Sequence, residues 1–168
     1  MCGLTGFWDA AERLSDAQLR TIVADMALTL RHRGPDSGGL WIDPEARVAL
    51  GHRRLAIIDL SPEGHQPMTS ASGNLVIILN GEIYNFTTLR AELEAQGATF
   101  RGHSDTEVLL AAIERWGLDR ALSRAAGMFA FALLDRRARV LHLARDRLGK
   151  KPLYFGWLGR TFAFASEL

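Results

Sequence analysis

Phe129-Ala130-Phe131-Ala132-Leu133, preceded by Gly127-Met128 and followed by Leu134, alternates large and small side chains with a period of two. That period belongs to a β-strand, whose successive side chains leave on opposite faces, so the two phenylalanines should enter a core from one face of a sheet. Working outward, Ile, Leu and Val recur in short runs bounded by Gly, Pro, Asn and Asp. These predict strands at Leu4–Trp8, Val48–Leu50, Leu55–Leu60, Leu75–Asn80, Met128–Leu134, Val140–Arg145, Leu153–Trp157 and Thr161–Ala165. The residues Asp135–Arg139 and Leu158–Arg160 between consecutive strands read as hairpin connections.

Helices fall between the strands. Ser15-Asp16-Ala17-Gln18 has the form of a capping box, and Leu19, Ile22, Val23, Met26, Ala27 and Leu30 follow at helical spacing. Ser104-Asp105-Thr106-Glu107 repeats the device before Val108, Ala112, Ile113 and Trp116, with Gly117 as a stop. A third helix is expected from Asn85 or Phe86 to Gly97. No internal repeat or linker interrupts the chain, and hairpins mixed with helices predict an α+β layer structure.

Composition narrows the function. The chain has 168 residues, 48% hydrophobic and 23% charged, which is enough for one domain with a sizeable core. Twenty basic residues against nineteen acidic ones give a net charge of +1, so no overall basic excess points to nucleic acid or an anionic membrane. A single cysteine rules out an internal disulfide and a Cys-rich zinc site, and the five histidines lack metal-type spacing, so no metal is expected. Without a signal segment or a membrane-length apolar run, the expected location is the cytoplasm. Ser166-Glu167-Leu168 follows a predicted strand with no closing turn, as in a piece of a longer polypeptide.

The one cysteine, Cys2, stands behind the initiator methionine. If Met1 is removed, the cysteine carries a free α-amine beside its thiol, and an amine with a reference pKa of about 7.7–8.0 can serve as the base a nucleophile needs. Read by position alone, Cys2 is an incidental residue near a chain end, but it runs directly into the first predicted strand. Asn80-Gly81 after Leu75–Leu79 is either a turn or a pair of donors, side-chain amide and main-chain N–H, for a developing oxyanion. Arg54 before Leu55-Ala56-Ile57-Ile58 is either a solvated charge or a carboxylate clamp. Asp105 has a ready structural role at a helix start. Arg145-Asp146-Arg147-Leu148-Gly149 reads as a charged turn. Ser37-Gly38-Gly39-Leu40 is set aside as a phosphate loop, because Trp41-Ile42 follows where such a loop continues with Asp-Ser.

As an ordered set, these segments resemble the glutaminase domain of class II glutamine amidotransferases, and specifically that of asparagine synthetases. The matching pieces are Met1–Gly6, Arg31-His32-Arg33-Gly34-Pro35-Asp36, Arg54–Asp59, Gly64-His65-Gln66-Pro67-Met68, Asn80-Gly81-Glu82-Ile83-Tyr84-Asn85, Ser104–Glu107, Gly127–Ala132 and Arg145–Gly149. The resemblance implies an N-terminal-nucleophile hydrolase fold over residues 2–168, an αββα sandwich of two stacked antiparallel sheets flanked by helices. It implies that Cys2 attacks the side-chain amide of L-glutamine, with its own amine handling the proton. Asn80 and Gly81 would hold the oxyanion, Arg54 the substrate α-carboxylate, and Glu82 with Asp105 the α-ammonium. The segment Leu55, Ala56, Ile57 and Ile58 would border the substrate through main-chain groups. The domain itself would need no cofactor; ATP and Mg would belong to a synthetase domain absent from this chain, to which ammonia is passed. A homodimer is left open, as are two alternatives: a catalytically silent docking module, and an amidotransferase serving a different acceptor.

Overall fold

Two antiparallel sheets stack face to face in the computed structural model, which describes residues 1–168. The elements run β1 (Gly3–Asp9), α1 (Asp16–Thr29), β2 (Ser37–Asp43), β3 (Val48–Arg54), β4 (Met68–Thr69) and β5 (Leu75–Ile83). They continue with α2 (Phe86–Ala95), α3 (Asp105–Trp116), α4 (Leu118–Arg124), β6 (Gly127–Asp135), β7 (Val140–Arg145), β8 (Tyr154–Leu158) and β9 (Thr161–Ala165). One sheet has the order β2-β3-β1-β9-β8, the other β4-β5-β6-β7.

The alternation in β6 is a code for two faces. Phe129, Phe131 and Leu133 pack with Leu89 and Leu93 of α2 and Val108, Leu109 and Ile113 of α3, the two phenylalanine rings 5.9 Å apart. Ala130, Ala132 and Leu134 meet Leu4, Leu50 and Phe164 of the other sheet. Bulky residues therefore fill the wide helix-to-sheet gap, while small ones let the two sheets approach. On the far side, Leu19 and Val23 of α1 cover Phe7 and Ala49. The layers are helix, sheet, sheet and helices, the sandwich expected.

The capping box of α1 is present: Ser15 Oγ accepts from the Gln18 N–H at 3.3 Å, and Gln18 Oε1 accepts from the Ser15 N–H at 2.8 Å. At α3 the device differs from the expectation. Ser104 caps the Thr106 N–H, whereas Glu107 accepts from the N–H groups of Arg101 and Gly102 in the preceding loop.

Two expected strands need correction, and one strand was not expected. Leu55–Leu60 is not a strand, because β3 runs from Val48 to Arg54 and the chain then leaves the sheet. The Arg54 guanidinium donates to the carbonyls of Asp59 and Ser61, which curls residues 55–61 back over its own side chain. Ser37-Gly38-Gly39-Leu40 belongs to a strand, β2, paired with β3 through Gly39 opposite His52. Leu75–Asn80 continues to Ile83, so Asn80-Gly81 is no turn. At Gly81 (φ +157°) a Cβ would stand 2.2 Å from the Met128 carbonyl oxygen, so only glycine lets β5 pass this close to β6. The helix α4 was not expected from the sequence.

Candidate active site

Cys2 enters the molecule just ahead of β1, two residues before Leu4, and so shares Leu4's face between the two sheets. Its Sγ accepts from the Leu55 N–H at 3.4 Å and lies 3.6 Å from the Leu55 carbonyl. The Arg33 Nε–H donates to the Cys2 carbonyl at 3.1 Å, and its NH1 pairs with Glu167 at 2.7 Å. The nucleophile candidate is thus held from both sides, by the loop after β3 and by the segment after α1.

A cleft of about 90 Å³ opens beside it, lined by Met1, Cys2, Arg54 and Leu55–Asp59, by Leu79–Glu82 of β5, by Ser104–Thr106 at the start of α3, and by Lys151. All the residues expected at the site from sequence line this one cleft. None of the five histidines does. No group of three or more His, Cys, Asp or Glu side chains is placed to hold a metal.

The free edge of β5 explains what the cleft offers. β4 pairs with β5 only at Val76 and Ile77, so from Leu79 onward that edge of β5 is open to side chains. The Leu79 N–H is taken by Gln66 Oε1, and the Ile83 N–H by Asp105 Oδ2 at 2.8 Å. Gly81 lies between them with the same alternation, and its ladder partner Phe129 gives its own N–H and carbonyl to Asp146. The Gly81 N–H therefore points to the open edge, into the cleft. Next to it, the Asn80 side chain is 1% exposed and its Nδ2 has no hydrogen-bond partner. A buried amide left unpaired costs about 1–3 kcal/mol, so two adjacent free donors in one wall are a preformed place for an anionic oxygen.

The strand carrying these donors is pinned. The Leu79 carbonyl accepts from His52 Nε2 at 3.0 Å across the sheet interface, while Gln66 Nε2 is tied to Thr106. Burial drives the pKa of His52 from its ordinary value to about 4, only partly offset by that bond, and nearby His65, Arg54 and Arg53 act in the same direction. His52 is thus a neutral donor fixing β5. Neither it nor Gln66 was assigned this role from the sequence, since burial and cross-sheet pairing leave no local signature.

The electrostatics of the far end of the cleft favour a cation. Burial raises the Asp105 carboxyl above its ordinary value, the charge of Glu82 adds to this, and N–H bonds from Ile83 and Thr106 pull the other way. Arg54 lies on the wall, where it covers Gly64: a Cβ there would stand 2.1 Å from the guanidinium. Two of its donors serve the loop carbonyls already described, and three remain. Burial would push Asp59 up, but bonds from Ser61 and His103 and the Arg54 charge hold it below its usual range.

A family model for the glutamine amidotransferase domain matches residues 1–168. The chain belongs to the glutamine amidotransferase family. This amidotransferase domain is 42% identical over 167 residues to asparagine synthetase [glutamine-hydrolyzing] 1 of Bacillus subtilis, covering 99% of the chain and 26% of that protein. It is 35% identical over 184 residues to a putative asparagine synthetase [glutamine-hydrolyzing] 2 of Methanocaldococcus jannaschii, covering 100% and 34% respectively. The amidotransferase domain thus spans about a quarter to a third of the length of these relatives. Among solved structures it superposes on glutamine phosphoribosylpyrophosphate amidotransferase of B. subtilis with a TM-score of 0.76 and 27% identity, over 98% of this chain and 42% of that one. The shared architecture is the N-terminal-nucleophile hydrolase sandwich.

Proposed function

We propose that this domain hydrolyses L-glutamine to L-glutamate and ammonia at Cys2, for use by an ATP-dependent synthetase portion of a longer polypeptide. The observation that carries the reading is the buried, unpartnered Asn80 Nδ2 in the wall of the cleft that holds Cys2.

Once Met1 is removed, the Cys2 α-amine takes the thiol proton and Sγ attacks the side-chain carbonyl carbon of glutamine. A C–S bond forms, and the carbonyl electron pair moves onto oxygen, where Asn80 Nδ2–H and Gly81 N–H receive it. These donors act mainly on charge that exists only in the tetrahedral intermediate, so they lower the barrier more than they tighten binding. The oxyanion collapses, the C–N bond breaks, and the proton held by the amine leaves with nitrogen as ammonia. Water then attacks the thioester and gives its proton to the amine; glutamate departs, and the proton returns to sulfur. Glu82 and Asp105 read the substrate α-ammonium, while Arg54 offers its remaining donors to the α-carboxylate. Leu55–Ile58 frame the substrate from the loop. Met1 forms part of the cleft wall, so its removal both frees the amine and widens the site.

The domain works without a metal or cofactor of its own in this reading, and the relatives named asparagine synthetase support aspartate as the acceptor. A free catalytic thiol suits the reducing cytoplasm. The deciding experiment is glutamate release from L-glutamine by the Met1-free chain, with and without prior alkylation by iodoacetamide. Release abolished by alkylation is expected. An unalkylated chain that releases none would make it a silent docking module.

A further inference from the structure

The charged turn Arg145–Gly149 and the two lysines after it have no part in the chemistry so far. Asp146 organises this segment. Its buried carboxylate accepts the N–H groups of Phe129 at 3.2 Å, Leu148 at 3.1 Å, Lys150 at 2.9 Å and Lys151 at 3.1 Å. Burial would push this carboxyl up, but the four main-chain donors outweigh it and hold Asp146 below its ordinary range. Arg145 closes the turn by donating to the carbonyls of Lys151 and Gly149. Because Phe129 is the ladder partner of Gly81, this ties the main chain of Lys151 directly behind the oxyanion strand.

The side chains of the two lysines then part company. Lys150 is exposed, whereas Lys151 is 6% exposed and lines the cleft with Cys2. No carboxylate lies within 4 Å of its ammonium. The one hydrogen-bond partner of its Nζ is Met1 Sδ, at 3.4 Å, in a residue whose departure the mechanism requires. A lysine in a surface turn can reach water easily, and burying one without a counter-ion is destabilising. Such a side chain is kept in place for something other than stability.

We propose that Lys151 is a fixed positive charge serving Cys2 from the wall of the same cleft, where it favours the anionic sulfur. This rests on the reading of Cys2 as nucleophile and of its amine as proton acceptor. Arg33, Arg54, Asp59, Glu82 and Asp105 are the other charged groups around the cleft and the Cys2 carbonyl. They are unchanged in Lys151 variants, so a comparison isolates the one ammonium.

The test uses Met1-free chains verified by intact mass and reads three quantities: the rate of Cys2 alkylation by iodoacetamide at neutral pH, glutamate release, and melting temperature. In a partly buried site a unit charge shifts the ionisation equilibrium of a neighbouring group by about tenfold or more. Lys151→Met should therefore slow alkylation and kcat each by about tenfold, leave KM for glutamine within about twofold, and melt at the same temperature or higher. Lys151→Arg should recover most of both rates. Lys151→Gln serves as a second neutral variant should methionine not pack. Wild-type alkylation rates in the neutral variants, or a loss that arginine does not repair, would overturn the proposal. Alkylation does not involve glutamine, so a wild-type chain that alkylates readily yet releases no glutamate sinks the glutaminase reading while the Lys151 comparison still stands or falls by itself.

Discussion

Replacing Asn80 by alanine should move activity and stability apart. In the free protein the side chain is 1% exposed with Nδ2 unpaired, a defect of about 1–3 kcal/mol that alanine removes. Against this stands the lost packing of a small polar side chain, about 1 kcal/mol, because the space it vacates adjoins the cleft and can admit water. The net effect therefore lies between about zero and 2 kcal/mol of stabilisation. For a domain of this length 1 kcal/mol corresponds to about 2–4 °C, so Asn80→Ala should melt within a few degrees of the parent, and on the high side if the unpaired amide dominates. Turnover should fall about 10²–10³-fold, because the transition state loses one of its two donors, while KM for glutamine changes little. Differential scanning calorimetry and glutamate release on the same preparation settle both halves. Near-normal turnover would remove Asn80 from the mechanism. A large fall in melting temperature with the activity would make the side chain a structural element whose partner lies elsewhere.

Further outcomes follow from the same geometry. His52 takes a proton at about pH 6.5 when unfolded but only near pH 4 when folded, so the unfolded chain gains protons that the folded one refuses as pH falls through that window. Its contribution to stability should therefore drop by at most about 3 kcal/mol between pH 6.5 and 4, a slope that His52→Gln flattens in urea titrations; parallel curves for the two proteins would show that His52 is not buried neutral. A non-removable residue ahead of Cys2 turns its amine into an amide, and glutamate release should collapse with the circular dichroism unchanged; full activity would rule out the amine as base. Glutamine analogues lacking the α-amino or α-carboxylate group should be poor substrates, since Glu82, Asp105 and Arg54 would be left facing no partner, whereas hydrolysis of propionamide at a comparable rate would cancel that assignment.

The parts of this molecule that were legible in its sequence are those whose cause is local. β6 announces itself because each residue's size matches the gap on its own face, and Ser15 with Gln18 closes a capping box within four residues. Cys2, Asn80, Glu82 and Asp105 could be singled out because their functional groups, at those places along the chain, resemble a known site. What failed was set by distant partners. Gly38-Gly39 carries no apolar run to mark a strand, yet it lies in β2, and a Cβ on Gly39 would stand 2.2 Å from the Gln66 carbonyl oxygen, so the glycine marks where the loop before β4 crosses that strand. Leu55-Ala56-Ile57-Ile58 reads as a strand by its apolar run, but the hydrogen bonds of Arg54 to Asp59 and Ser61, and that of the Ala56 N–H to Asp36, draw it out of the ladder.

Lys151 shows the limit most sharply. Nothing in the sequence around the two adjacent lysines after the charged turn says which one turns inward. The choice is made by Asp146, whose carboxylate gathers N–H groups from the turn and from β6 together and so fixes Lys151 against the strand that faces Gly81. A buried cation is thus built from a carboxylate that does not pair with its charge at all. The Asp146 carboxylate binds only the main chain of Lys151, leaving the ammonium free for the cleft. Had it met the ammonium directly, the ion pair would have neutralised the positive charge that the site can use.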